Sequence, residues 1–126
     1  MDELKDLASR LREFAAERDW QQFHTPRNLA MALAGEVGEL LAELQWSTDQ
    51  EVGKAMRHDP DYRGRVESEM ADVFSYLVRL ADVMNVDLIH AALQKIDENE
   101  TRYPRDLSRG NATKYTKLRP DQGAVE

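Results

Sequence analysis

Two short acidic patterns carry the chemistry in this sequence: Glu36-Val-Gly-Glu39 and, further along, Glu69-Met-Ala-Asp72. At about 100° per residue, positions three apart share one helix face, so each pattern sets two carboxylates side by side. Glu43 extends the first row and Tyr76 the second, both in a 0, +3, +7 relation. Neither row has a Lys or Arg four residues on, since positions 40, 43, 73 and 76 are Leu, Glu, Val and Tyr. Ion pairs along the helix surface therefore do not account for them. A single exposed Glu-x-x-Glu is ordinarily a solvated face, but two matching rows that pack together repel and raise each other's pKa until a cation intervenes. Oxygen-only donors suit a hard cation, Mg²⁺ or Mn²⁺, better than zinc. Mg²⁺ commonly completes its shell with substrate phosphate, which points to phosphoryl chemistry. The Glu-x-x-His of bundle di-iron sites is absent, because Gln21, Ala55 and Asp87 precede His24, His58 and His90 by three.

The elements that must position these rows are helices. Leu4, Leu7, Leu11 and Phe14 predict a first amphipathic helix over roughly 2–18. Thr25-Pro26 reads as an N-cap followed by proline at the first helical position, opening a second helix that runs to about Trp46. Residues 47–65, with Gly53, Pro60 and Gly64, read as a long connection holding one short helix. Val66, Met70, Val73, Leu77, Leu80 and Met84 form the seam of a third long helix, and Asn85-Val86-Asp87 a tight turn into a last one bearing Leu88, Ile89, Ala92, Leu93 and Ile96. The expectation is an all-α protein, a bundle of four main helices, with one domain over 1–105 and a partly flexible tail over 106–126. If the second and third long helices pack antiparallel, both acidic rows fall on the same side of the bundle. Gly35 and Gly38 each cost about 1 kcal/mol relative to Ala, which is tolerated where another helix or a bulky ligand approaches the backbone.

Composition narrows the alternatives. A net charge of −7 argues against a binder of polymeric nucleic acid, which needs a basic footprint. A small polyphosphate is still accommodated if divalent cations lie between the two sets of negative charge. There is no cysteine, and no stretch approaches the roughly 18 apolar residues of a membrane span. The reading is a soluble, cytoplasmic protein, and long helices in a short chain favour a homo-oligomer.

The stretches "GEVGELLAELQW" and "ESEMADVFSYLVRLA" resemble the MazG-like all-α nucleoside triphosphate pyrophosphohydrolases, whose signature is Glu-x-x-Glu followed by Glu-x-x-Asp. "WQQFHTPRNLAMAL", "VDLIHAALQKIDENETRYP" and "KYTKL" resemble the dCTP pyrophosphatase branch, and the likeness spans roughly 14–118. It implies an all-α homodimer or homotetramer that hydrolyses a nucleoside triphosphate, here dCTP or a modified cytidine nucleotide, to the monophosphate and pyrophosphate for nucleotide-pool cleansing. It further implies that Glu36, Glu39, Glu69 and Asp72 bind Mg²⁺ and that one of the glutamates, with Glu39 the first choice, accepts the proton of the attacking water. Trp20, Phe23, His24 and Trp46 become the base pocket, with Asn99 reading a base edge. Lys95 and Arg102 share the face of Asn99; Tyr76, Lys114 and Tyr115 complete the substrate-binding set, the last two in a tail that folds over bound triphosphate. On wheel position alone Trp46 reads as ordinary packing, His24 as a helix-start residue and Lys95 as a solvated charge.

Two departures qualify the resemblance. The 29 residues between Glu39 and Glu69 make a long spacing, and Glu100 and Thr101 stand where further basic residues are expected. A dUTP or broad-specificity pyrophosphatase, and a non-catalytic helical oligomer that uses the acidic groove for binding, remain the competing readings.

Overall fold

The computed structural model describes residues 2–118, and helices are the regular secondary structure of the described residues, with no strand among them. Two compact units divide between Val86 and Asp87.

The first unit holds α1 (Glu3–Glu17), α2 (Pro26–Ala42), α3 (Asp49–His58) and α4 (Pro60–Met84). Each start is chemically capped. Asp2 accepts from the Lys5 amide, Thr25 from Asn28, and Asp59 from Asp61 and Tyr62, so donors that a helix start leaves open are satisfied. Thr48 and Glu51 form a reciprocal capping box at α3. Pro26 and Pro60 each open a helix, where a missing amide hydrogen costs nothing.

The long connection expected over 47–65 is therefore mostly helix. Pro60 marks a start and not a break, α4 begins before the seam at Val66, and Gly64 lies inside it. The second helix also ends earlier than Trp46. After Ala42 the chain turns through the bonds Glu43 N–H to Leu40 C=O and Leu44 N–H to Leu41 C=O, and the Tyr62 hydroxyl donates to the Glu43 carbonyl at 2.9 Å.

α4 is the centre of the unit, packing chiefly on α2 and also on α1 and α3. Three cross-links set the direction of the α2–α4 pair: His24 meets Arg79, Glu36 meets Glu69 and Asp72, and Glu43 meets Arg65. Early positions on one helix thus face late positions on the other, the antiparallel arrangement that the acidic rows require. The buried apolar core of the unit comprises Ala15 of α1, Leu29 of α2, and Tyr62, Val66, Val78 and Ala81 of α4. Of the seam read from the sequence, Val66 is buried, Val73 and Leu80 are half-buried, and Met70, Leu77 and Met84 are exposed. Helical periodicity finds apolar positions but not what covers them, and no described part of the chain buries these.

Asn85, in the left-handed conformation at φ 57°, ψ 46°, closes α4. In the second unit, Asp87 caps α5 (Leu88–Arg102) through the His90 amide. α6 (Arg105–Ser108) and α7 (Tyr115–Leu118) follow as single turns within the expected tail. The remaining tail positions, 119–126, lie outside the described residues. Ile89, Leu93 and Ile96 form an exposed apolar stripe along α5.

Candidate active site

Antiparallel packing of α2 on α4 brings the two acidic patterns together. One carboxylate oxygen each from Glu36, Glu69 and Asp72 lies within 4.8 Å of the others. Oε2 of Glu36 and Oε2 of Glu69 are shielded from solvent and have no hydrogen-bond partner. A buried polar atom without a partner carries its whole desolvation cost, so the site is out of balance as it stands. Desolvation first, then the charges of Glu39 and Asp72, raise the Glu36 pKa above the usual carboxylate range; for Glu69 the order is desolvation, Glu39 and then Asp72. Glu39 is more exposed than the other two glutamates and stands beside both. Shielded, unpartnered oxygens converging from two helices fit a hard divalent cation, and the donor set offers it only carboxylate oxygen.

Glu43, the extra member of the first row, behaves differently. Arg65 Nε lies 3.3 Å from both of its carboxylate oxygens. That pairing separates Glu43 from the cluster, in keeping with its place outside the signature. No ion pair among the described residues involves Glu36, Glu39, Glu69 or Asp72. Tyr76 is half-buried one turn beyond Asp72.

A second group assembles between α1 and α2. Trp20 packs edge-on against Phe14 at 5.7 Å and lies 6.4 Å from the His24 ring. Phe14 in turn carries the Arg18 guanidinium 3.6 Å above its face. Asn28 Nδ2 donates to the Phe23 carbonyl at 3.0 Å and holds the short 3₁₀ turn Gln21–Phe23 against the start of α2. Phe23 itself is exposed. Trp46, in the turns after α2, is 88% exposed. The reading of Trp46 as ordinary packing does not hold within this chain.

Sequence reasoning missed what lies behind His24. Arg79 is only 7% exposed, and its Nε donates to His24 Nδ1 at 3.1 Å while its Nη1 donates to Asp82 at 3.0 Å. Arg12 of α1 grips the same carboxylate with Nε at 3.0 Å and Nη2 at 2.7 Å. The one available signal was an arginine enclosed in the apolar run Tyr76-Leu-Val-Arg-Leu-Ala81.

In the second unit, Lys95 and Arg102 both pair with Glu98, at 3.3 and 3.6 Å. Arg102 also stacks over the Tyr115 ring at 4.8 Å, and Tyr103 meets Tyr115 edge-on at 6.0 Å. These contacts anchor α7 on α5 and put Tyr115 and Arg102 in one cluster. Asn99 and Lys114 are exposed. Five predicted site residues, Lys95, Asn99, Arg102, Lys114 and Tyr115, thus belong to the second unit, and the carboxylates and aromatic residues to the first.

A profile of the MazG-like family matches residues 32–118, and the chain belongs to that family. Among its relatives, dCTP pyrophosphatase 1 of Rattus norvegicus is 51% identical over 115 residues, covering 91% of this chain and 67% of that protein. The protein of the same name from Homo sapiens is 50% identical over 115 residues, with the same 91% and 67% coverage. A crystal structure of a pyrophosphatase from Archaeoglobus fulgidus matches with a TM-score of 0.76 at 38% identity, covering 82% of this chain and 94% of its own.

Proposed function

We propose that this protein is a Mg²⁺-dependent pyrophosphohydrolase that converts dCTP, or a cytidine nucleotide modified on its base, to the monophosphate and pyrophosphate. The observation that carries the reading is the pair of shielded, unpartnered oxygens on Glu36 and Glu69 in one cluster with Asp72. Such a cluster is unstable alone and complete with a divalent cation. The identity of 50–51% over 91% of the chain to two proteins named dCTP pyrophosphatase 1 supports the substrate class.

In this reading Glu36, Glu39, Glu69 and Asp72 are the cation's ligands, the converging oxygens of Glu36, Glu69 and Asp72 forming the nucleus of the set, and Mn²⁺ substitutes for Mg²⁺. Bound there, the cation supplies Lewis-acid charge neutralisation to the phosphates. Glu39, more exposed and beside the cluster, accepts the proton of the water that attacks the α-phosphorus. Trp20, Phe23 and Trp46 offer aromatic faces to the base, and His24 a hydrogen bond. Lys95, Asn99, Arg102, Lys114 and Tyr115, with Tyr76, complete the nucleotide contacts. The exposed apolar side chains Met31, Leu41, Met70 and Phe74 support assembly as a homodimer or homotetramer. No described helix is long and apolar enough to cross a membrane, and the cytoplasm is the proposed compartment for nucleotide-pool cleansing.

The test is pyrophosphate release over a panel of canonical and 5-substituted nucleoside triphosphates, with and without Mg²⁺. Metal-dependent release from dCTP is expected, lost in Glu36→Gln and Asp72→Asn. Silence across the panel from folded protein overturns the reading.

A further inference from the structure

The buried arginine behind His24 lies outside the acidic cluster: its hydrogen bonds run to His24 and Asp82. Asp82 already has a bidentate partner in Arg12, so a second guanidinium is not needed to balance it. Burying that guanidinium costs desolvation that an apolar residue of similar size avoids. Among the described residues its one other hydrogen-bond partner is the imidazole.

Arginine is a donor only: five N–H groups, no acceptor, and no accessible deprotonated state. The ring nitrogen 3.1 Å from Arg79 Nε must therefore present a bare lone pair. A neutral imidazole has one such nitrogen, so the proton resides on Nε2. Turning the ring over sets a C–H against the guanidinium and forfeits the bond. Protonating it sets N–H against N–H, and burial first, then Arg79, lower the His24 pKa. Among the described residues no protein group bonds Nε2, whose N–H is left for a ligand. Arg79 is itself fixed: Asp82 holds Nη1, and Arg12 holds Asp82 from α1.

We propose that Arg79 is a positioning residue that sets base specificity, by locking His24 as a hydrogen-bond donor that cannot act as an acceptor toward the base. This rests on the reading of His24 as a base ligand. Cytosine presents two adjacent acceptors, N3 and O2, whereas uracil and thymine carry a hydrogen on N3. A locked donor directed at N3 satisfies cytosine and opposes N–H with N–H on uracil or thymine. A free neutral histidine can change tautomer and accept from N3–H; one held by Arg79 cannot. Specificity of this kind comes from the mismatched partner as much as from the matched one.

The experiment combines side-chain ¹⁵N NMR of the histidine-labelled full chain at neutral pH with kcat/KM for dCTP and dUTP. It uses wild type, Arg79→Met, Arg79→Lys and His24→Ala. Wild type is expected to show His24 neutral with its proton on Nε2 and to prefer dCTP. Arg79→Met is expected to show mixed tautomers and a dCTP/dUTP ratio reduced about 10- to 100-fold, the range set by an unsatisfied donor. Arg79→Lys, which keeps a donor without an acceptor, restores the ratio toward wild type. A wild-type His24 protonated on Nδ1, or on both nitrogens, overturns the proposal without any variant, so a folding failure of Arg79→Met does not shield it. Selectivity unchanged in folded Arg79→Met while His24→Ala loses it overturns the role of Arg79 and leaves His24 as a base ligand. Selectivity and KM unchanged in His24→Ala overturn the reading of His24 itself.

Discussion

Helix α4 carries two charge clusters about three turns apart, and they are built on opposite terms. At Asp82 a carboxylate receives three charge-assisted hydrogen bonds from Arg12 and Arg79, and the second arginine passes its remaining contact to His24. At Glu69 and Asp72 carboxylates converge with Glu36, two of their oxygens are shielded without a partner, and no ion pair among the described residues reaches them. One cluster is balanced by the chain and holds α1 to α4. The other is left unbalanced, and what it lacks is a positive charge from outside. Position on the same helix does not decide function; the completeness of the local charge pairing does.

The largest effect should come from the unbalanced cluster. On the proposed function, Asp72→Asn or Glu36→Gln removes a cation ligand, and because such a cation stabilises transition-state charge by several kcal/mol, kcat/KM for dCTP should fall about 10³-fold. Both variants should fold, because each relieves repulsion. Full activity in either, measured by pyrophosphate release at saturating Mg²⁺, would break the comparison at its centre.

Asp82→Asn is expected to do the reverse: little change at the reacting phosphates and a loss of about 2 kcal/mol in urea denaturation, because it strands a buried guanidinium. The sign of its pH dependence is fixed. The hydrogen bond from Arg12 foremost depresses the Asp82 pKa, so its contribution is fully present above the unfolded value of about 3.9 and disappears as pH falls through the lower folded value. Wild type and Asp82→Asn should therefore converge in strong acid. A gap that stays constant down to pH 2 would mean the carboxylate charge is not what stabilises the fold.

How much of this was legible before the structure differs between the clusters. The acidic patterns were readable because spacing three apart on a helix is local information, and Thr25-Pro26 located the helix that presents the first of them. The bundle was readable from apolar periodicity. Pro60 misled because proline opens helices as well as breaking them, and only the Asp59 cap before it distinguishes the two. The Arg79–His24 pair joins residues 55 apart, and no periodicity encodes a contact between one helix and the entry to another. Trp46 read as packing because a wheel position says nothing about whether a covering element exists.

A thermal-shift series sharpens the contrast further. Glu36 and Glu69 titrate above the usual carboxylate range, opposite in direction to Asp82. Ionising them costs native stability above their folded pKa values, and that cost is relieved as pH falls toward the unfolded value of about 4.3. Without divalent cation, Glu36→Gln should match or exceed the wild-type Tm at pH 7, and the difference should shrink on acidification. Added Mg²⁺ should raise the wild-type Tm and leave Glu36→Gln nearly unmoved. Equal Mg²⁺ shifts in both proteins would place the cation elsewhere.

The smallest effect concerns the backbone beside the acidic row. A Cβ added at Gly35 or Gly38 meets no atom within 4 Å, so no described helix of this chain occupies the space that the sequence reading reserved for one. Both glycines are helical, and alanine there should stabilise the isolated chain by about 0.4–1 kcal/mol each. The helix keeps them against its own preference, which leaves a ligand or a second copy of the chain as the reason. Gly38→Ala separates these by effect: a raised KM for dCTP with unchanged sedimentation assigns the space to nucleotide, and a shifted oligomeric state assigns it to the neighbouring subunit. Added stability with neither change would show that the glycines are not spacers, and the acidic row would then need nothing of the backbone beside it.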